Sequence, residues 1–258
     1  MANYKRSDQT KQQIIETASR LFYEKGYIEA TVRDICSQSG FSVSRINYHF
    51  SSKAELAGVI CSQFFHNFSH EIRKAIGNRR TYSFVTEAIA LRFLVALLLD
   101  NAPSGRFYRE IAQEGILGQA FSEIDKGIFA HATRNSEMLE SAVQENRLSV
   151  YGHIFAAALP AVIKSWDKEL EQCGGDREKA VRMIQDVFVG LFMQMLDYKH
   201  AAQNGILAMS EAYYRLIQVD MVGLTEVRVR VKTVLSEEDK RQILDPFMVG
   251  KNDSEERK

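Results

Sequence analysis

Proline, cysteine and tryptophan are scarce: 258 residues hold three prolines, three cysteines and one tryptophan. So few prolines leave long stretches free to run as helices, because proline removes a backbone donor and clashes inside a helix. Cys36, Cys61 and Cys173 are odd in number and far apart. No Cys-x-x-Cys pair or Cys/His cluster accompanies them, which argues against a zinc site or a disulfide framework. They read as small core or surface residues. The apolar run Phe93 to Leu99 is too short to cross a bilayer, and Arg92 precedes it. The opening MANYKRSDQT is polar, unlike a signal peptide. No membrane partner is expected, and the place expected is bacterial cytoplasm. A phosphate-binding glycine loop, HExxH and Gly-x-Ser-x-Gly are all missing. No paired carboxylates or nucleophile–base set stands in their place, so no catalysis, metal or cofactor is expected.

At 45% hydrophobic, the chain can bury a sizeable core. Its length suits one small module plus a larger helical domain. The net charge of zero hides an uneven distribution. Residues 1–80 carry 12 Lys and Arg against 7 Asp and Glu, and residues 81–258 carry 21 against 26. A basic end on an acidic body would meet a polyanion through that end alone.

The basic end contains TVRDICSQSGFSVSRINYHFSSK, Thr31 to Lys53. It reads as two short helices around a glycine turn, then the cationic start of another helix. Thr10, Thr31, Ser42 and Ser52 each precede an apolar-periodic run, as N-caps do. Ser52 with Glu55, and Thr10 with Gln13, have capping-box spacing. Gly26 and Gly40 fall where helices should stop or bend. Ile14, Ala18, Leu21 and Phe22 share one helical face, and Val32, Ile35 and Cys36 the next. Leu56, Ile60, Phe64, Phe68 and Ile72 form a long stripe on the helix that follows. This is the layout of a helix-turn-helix, whose second short helix enters the DNA major groove. Here it carries Ser42, Val43, Ser44, Arg45, Asn47, Tyr48 and His49. Arg45 can pair bidentately with guanine, Ser44 can bond to several bases, and Val43 can touch a thymine methyl. Arg33 points toward the same groove edge. Thr31, Asn47, Tyr48 and Lys53 have donors suited to phosphate oxygens, and Lys53 also sits at a helix start.

These motifs in this order resemble the tetracycline-repressor (TetR) family of bacterial regulators. The resemblance covers about residues 8 to 58, through IIETASRLFYEKGYIEATVRDI and SGFSVSRINYHFSSKAEL. It implies base contacts from Arg33, Ser44 and Arg45, and backbone contacts from Thr31, Asn47, His49 and Lys53. Asn47 stands where a tyrosine is usual, Cys36 and Ser39 replace alanines, and Arg45 is bulkier than its usual counterpart. These departures leave the operator sequence unreadable by analogy.

From about Thr81 periodicity replaces motif. Helices are expected over 82–100, 103–114, 119–133, 136–147, 150–172, 177–203 and 206–222. Pro103, Gly105 and the Gly174–Gly175–Asp176 run mark breaks. In 177–203, Ala180, Val181, Ile184, Val187, Phe188, Leu191, Phe192 and Met195 cover a wide apolar arc that needs cover on two sides. With Leu207, Met209, Tyr213, Leu216 and Ile217 on the next helix, it reads as a homodimer surface forming a four-helix bundle. Phe93, Leu97, Phe107, Tyr108, Ile111, Phe121, Ile128, Phe129, Ile154, Phe155 and Trp166 offer walls for a small-molecule effector pocket. Arg109, His131 and His153 would be its polar groups.

One segment departs from this pattern. Glu226 to Val234, EVRVRVKTV, alternates apolar and cationic residues at strand period, although Val227, Val231 and Val234 also fit a helix face. A strand there needs a partner, such as its symmetry mate. Ser236 with Asp239 hints at a further short helix, and the tail is expected to be disordered.

The expected fold is all-α. A helix-turn-helix DNA-binding domain over 1–53 leads through a connecting helix, 54–80, into a helical ligand-binding and dimerisation domain, 81–240, with a tail over 241–258. The expected function is a homodimeric regulator, a repressor released from a palindromic double-stranded DNA operator by a small molecule. The alternatives are a protein of the same fold controlled by protein partners and, remotely, a helical-bundle enzyme.

Overall fold

The computed structural model describes residues 2–76, 83–100, 102–121, 142–195 and 200–231. The first four helices are α1 (Ala2–Lys25), α2 (Val32–Ser39), α3 (Val43–His49) and α4 (Lys53–Ile76). The body contains α5 (Ser83–Leu98), α6 (Pro103–Gln113), α7 (Ala142–Lys164), α8 (Trp166–Gln172), α9 (Arg177–Met195) and α10 (His200–Leu216). Residues 116–121 are also helical. Two strands follow, β1 (Ile217–Val222) and β2 (Glu226–Val231).

Local chemistry sets most of these boundaries. Thr31 and Asp34 form the complete capping box that opens α2. Gly40 closes α2 at φ 73, a left-handed geometry that glycine adopts without strain. Ser42 opens α3 by accepting a hydrogen bond from the Arg45 amide. Thr10 behaves differently from expectation: α1 begins at Ala2, so Thr10 is a buried residue inside the helix and caps nothing.

The core is organised around α5. From Thr86 to Leu99 this segment is buried except at Ala90 and Ala96, because α4, α6, α9, α10 and β1 all pack against it. An all-round apolar helix requires such cover. One charge is included. Arg92 is 1% exposed; its Nε donates to Ser210 Oγ at 2.9 Å, and its guanidinium pairs with Asp186 at 2.8 Å and Glu211 at 3.3 Å. Its backbone carbonyl accepts from Gln185 at 2.7 Å. Arg92 therefore ties α5 to both α9 and α10, and isolating it would leave an uncompensated buried charge.

The expectation of an all-α chain needs one addition. The helix expected over 206–222 ends at Leu216, and 217–222 is a strand. Ile-Gln-Val-Asp-Met-Val has the same two-residue alternation as 226–231, but Leu216 and Ile217 also continued the preceding helical period. The strands form an antiparallel hairpin, Ile217 opposite Val231 and Val222 opposite Glu226, so β2 pairs within the chain and not with a symmetry mate. Gly223, at φ 73, supplies the turn. The helix expected over 150–172 is continuous back to residue 142 and breaks at Ser165. Most of 119–133 and 136–147, the Ser236/Asp239 pair and the tail lie outside the described residues.

Candidate nucleic-acid interface

The recognition-helix candidate is held from behind by two residues. Ile46 is 3% exposed and Phe50 2%, and both join the core of Ile14, Ala18, Leu21, Phe22 and Ile35. With that side fixed, Val43, Ser44, Arg45, Asn47 and Tyr48 face outward, Tyr48 being 79% exposed. His49 is half-buried, with its ring edge-on to Tyr48 at 5.0 Å between centroids. Burial, then Arg45 and Lys11, push His49 below the usual histidine range, with Asp8 opposing. Arg33 is exposed on α2. Ser42 spends its acceptor on the Arg45 amide, leaving its hydroxyl proton to donate.

Two residues expected at phosphates have protein partners in this structure. The hydroxyl of Thr31 donates to Asp34 Oδ2 at 2.7 Å and accepts from the Asp34 amide at 3.1 Å. Its one proton is committed to capping α2. Asp34, which also bonds Lys25 at 3.2 Å, is held down at about 2, first by the Thr31 hydroxyl. Lys53 turns inward. Its Nζ donates to the carbonyls of Tyr27 at 2.9 Å, Ala30 at 3.0 Å and Ile28 at 3.4 Å, and lies 4.2 Å from the centre of the Tyr27 ring. Those carbonyls border the turn between α1 and α2, so Lys53 binds that turn to the start of α4.

The reader is also bolted to the body through α6. Arg106 donates to the carbonyls of Tyr23 at 3.1 Å and Glu24 at 2.9 Å, at the end of α1. Glu110 accepts from the Ile28 amide at 3.0 Å, and its carboxylate fills the space where a Cβ on Gly26 would sit. Phe107 stacks on Phe22 at 5.8 Å. These contacts cross about eighty residues of sequence, and no local pattern announces them. Phe107 therefore belongs to the seam between reader and body.

Among the expected pocket residues, Phe93, Leu97, Phe107, Tyr108, Ile111, Phe121, Phe155 and Trp166 are buried. Most of the aromatic ones are linked ring to ring through Phe64 and Phe65 of α4. Tyr108 meets Phe64 at 5.1 Å, Phe65 meets Phe121 at 4.6 Å, and Phe121 meets Phe155 at 5.4 Å, whereas Phe93 meets Tyr214 at 4.9 Å. Arg109, expected among the pocket's polar groups, donates to the Asp100 carbonyl at 2.8 Å in the turn that follows α5. Ile154 and His153 are exposed and face away from the interior. Ile128, Phe129 and His131 lie outside the described residues.

The residues of the expected dimer face differ in exposure within the chain. Val181, Ile184 and Phe188 are buried against their own chain, and Ile217 is a buried strand residue. Leu191, Tyr213 and Leu216 are half-buried, and the Met195 side chain lies outside the described residues. The apolar residues that α9 leaves open are Met183, 43% exposed, and Val187, 62% exposed. Among the described residues, no single helix is long and apolar enough to cross a membrane.

Comparison with known proteins gives this geometry a context. Residues 14–60 match the model of the bacterial regulatory proteins of the tetR family. The probable HTH-type transcriptional regulator YttP of Bacillus subtilis is 31% identical over 110 residues, 42% of this chain and 53% of that protein. The HTH-type transcriptional regulator TtgR of Pseudomonas putida is 34% identical over 67 residues, 26% of this chain and 32% of that one. The chain thus spans about half, or less, of the length of these relatives. The crystal structure of RolR in complex with resorcinol aligns over 79% of this chain and 95% of its own, with a TM-score of 0.55 at 15% identity, a likeness of fold.

Proposed function

We propose that this chain, whose residues 14–60 match the tetR family of bacterial regulatory proteins, reads a palindromic operator as a homodimer. In this reading residues 1–53 are the reader, 54–80 the connection, of which α4 runs to Ile76, and 81–240 the body. The observation that carries the reading is the outward face of α3, with Ser44, Arg45, Asn47 and Tyr48 exposed on a helix whose back is anchored by Ile46 and Phe50. A capped, rigid helix presenting a fork of donors can read base edges. In this reading Arg33, Ser44 and Arg45 contact bases, while Ser42, Asn47 and Tyr48 contact the backbone.

The body would hold a small-molecule effector, and its binding would release the operator. RolR, which shares the fold, binds resorcinol, and the buried aromatic series along α4, α6 and α7 gives this chain apolar interior surface of the kind small ligands use. An effector shifts operator affinity only by binding the two states differently. Two connections can carry that difference: the buried stripe of α4 and the α6 contacts to α1.

Selection from a pool of randomised duplexes tests the reading, with enrichment of a two-fold site expected. On that site Arg45→Ala should cost about 1–3 kcal/mol while binding to unrelated sequence changes little. Equal losses on both would reassign Arg45 to the phosphates. Recovery of no enriched site would remove the function proposed.

A further inference from the structure

We propose that His66 and His70 form a two-imidazole site for a late first-row divalent cation, copper(II) before nickel(II) and zinc(II), on the outer face of α4. It is a binding site apart from the DNA-reading surface. Of the six histidines, these two alone stand four residues apart. Both lie within α4, and residues four apart share one face of a helix, with Cβ atoms about 5–6 Å from each other. Imidazoles extend beyond Cβ, and a zinc–nitrogen bond is about 2.0–2.1 Å long, so one ion between the rings can take a nitrogen from each. The face they occupy is the open one. Phe64, Phe65, Phe68 and Ile72 turn into the core, whereas His66 and His70 are exposed. The cysteine spacing that argued against a zinc framework says nothing about this pair.

The surroundings suit a cation. Glu71 Oε1 stands 3.9 Å from His70 Nε2. A carboxylate beside one ring nitrogen is the usual outer partner of a metal-bound histidine, since it orients the ring and leaves the other nitrogen to the metal. Glu71 also pairs with Lys74 at 3.7 Å, which offsets the positive charge one turn further on. Among the described residues no set of three His, Cys, Asp or Glu could hold a metal, so the chain supplies two ligands and water fills the other positions. A pair that imposes no closed geometry ranks metals by their intrinsic affinity for imidazole, with copper(II) first. The spacing is that of HExxH, but Asn67 stands where that motif has its glutamate, and Asn67 Nδ2 donates to the Thr225 carbonyl at 2.8 Å. The site therefore has no general base of that kind and is one of binding, not hydrolysis. An ion bridging one turn of α4 would stiffen the helix that joins reader to body.

The test uses the untagged full-length chain in chelator-free buffer, with copper(II) chloride as the probe. Calorimetry should give one copper per chain, bound more tightly than any background. His66→Gln and His70→Gln should each weaken it by roughly 10-fold or more, the least that losing even an outer partner tends to cost. The double variant His70→Gln, Glu71→His keeps the number of histidines but sets the pair five residues apart, on different faces, and should lose as much. His153→Gln, exposed on α7, should bind like the wild type. Saturating copper should raise the melting temperature of the wild type and not of the two single variants. In the wild type, copper should also shield both histidines together from diethyl pyrocarbonate, read by peptide mass, a measurement that needs no variant to fold. Wild-type affinity in either single variant or in the double variant, an equal loss in His153→Gln, or a failure to shield both histidines would overturn the site. So would several equal, weak coppers spread over all the histidines, which would mean an adventitious ion only.

Discussion

The ammonium of Lys53 touches the Tyr27 ring and three carbonyls at the turn between α1 and α2. In sequence it is a lysine at a helix start, and helix starts attract phosphate, so the phosphate reading followed. Nothing local encodes the folding of residues 27–30 over the same helix end. Lys53→Met keeps most of the stem and removes the donors, leaving part-buried carbonyls unpaired. It should destabilise the reader by about 2 kcal/mol, read as a lower midpoint in urea. An unchanged midpoint would return Lys53 to the surface and to DNA. A second residue acts through pH. Glu87 is 6% exposed on α5, with Arg73 at 3.5 Å. Burial raises its carboxyl from the ordinary 4.5 to about 7, with Arg73 opposing. The folded protein therefore holds a proton that the unfolded chain has lost. Stability is fully present below about pH 4.5 and declines as pH climbs through about 7. Glu87→Gln should flatten that decline, and melting temperatures at pH 5 and pH 8 would show it. A decline as steep in the variant as in the wild type would assign it to other groups.

The hairpin makes the same point for elements. Its apolar side, Ile217, Val219 and Met221 with Val227 and Val229, follows from register and packs toward α4 and α5. Gln218, Asp220, Arg228 and Arg230 take the other side, where Arg230 bonds Asp220 at 3.0 Å. Its turn is stitched down by Tyr108, which donates to the Leu224 carbonyl at 3.1 Å, and by Asn67, which donates to the Thr225 carbonyl at 2.8 Å. The hairpin is therefore a strap across α4 and α6, the two helices that join reader to body. Strand period was legible in EVRVRV because cation and valine alternate strictly there, although Val227, Val231 and Val234 also fitted a helix face. It was illegible in IQVDMV because a helical period ran into it. Leu224 is 2% exposed, and Leu224→Ala should cost about 2–5 kcal/mol through the cavity it leaves. Hydrogen exchange should show the loss at the hairpin and in α4 together. Exchange that quickens in the hairpin alone would mean that the strap does not brace α4.

At the scale of the molecule, the reader was the legible part. Capping boxes, glycine turns and short apolar periods are local, and Thr31, Gly40 and Ser42 act within a few residues of where they stand. The body was legible as helices and illegible as an arrangement. An apolar arc on α9 says that cover is needed, not whether one chain or two supplies it. Here α5, α7 and α10 of the same chain pack on α9, Phe188 meeting Phe155 of α7 at 5.5 Å, and Arg92 ties α5 to α9 and α10. On α9, among the described residues, the apolar side chains most open to a second copy are Met183 and Val187, one helical turn apart, beside Asp186 and Arg182 at the rim. A two-fold axis passing near Val187 would bring this strip against itself and set the distance between two α3 helices, which a palindrome requires to be near one DNA turn, about 34–36 Å, or a multiple of it. Val187→Lys should therefore yield monomers, because a lysine on each side of the axis meets its own like charge in an apolar seam. Exposed as Val187 is within one chain, the variant should still fold with a near-wild-type melting curve, unlike a charge at Phe188. Sedimentation of a folded Val187→Lys dimer would place the axis on another face of the body.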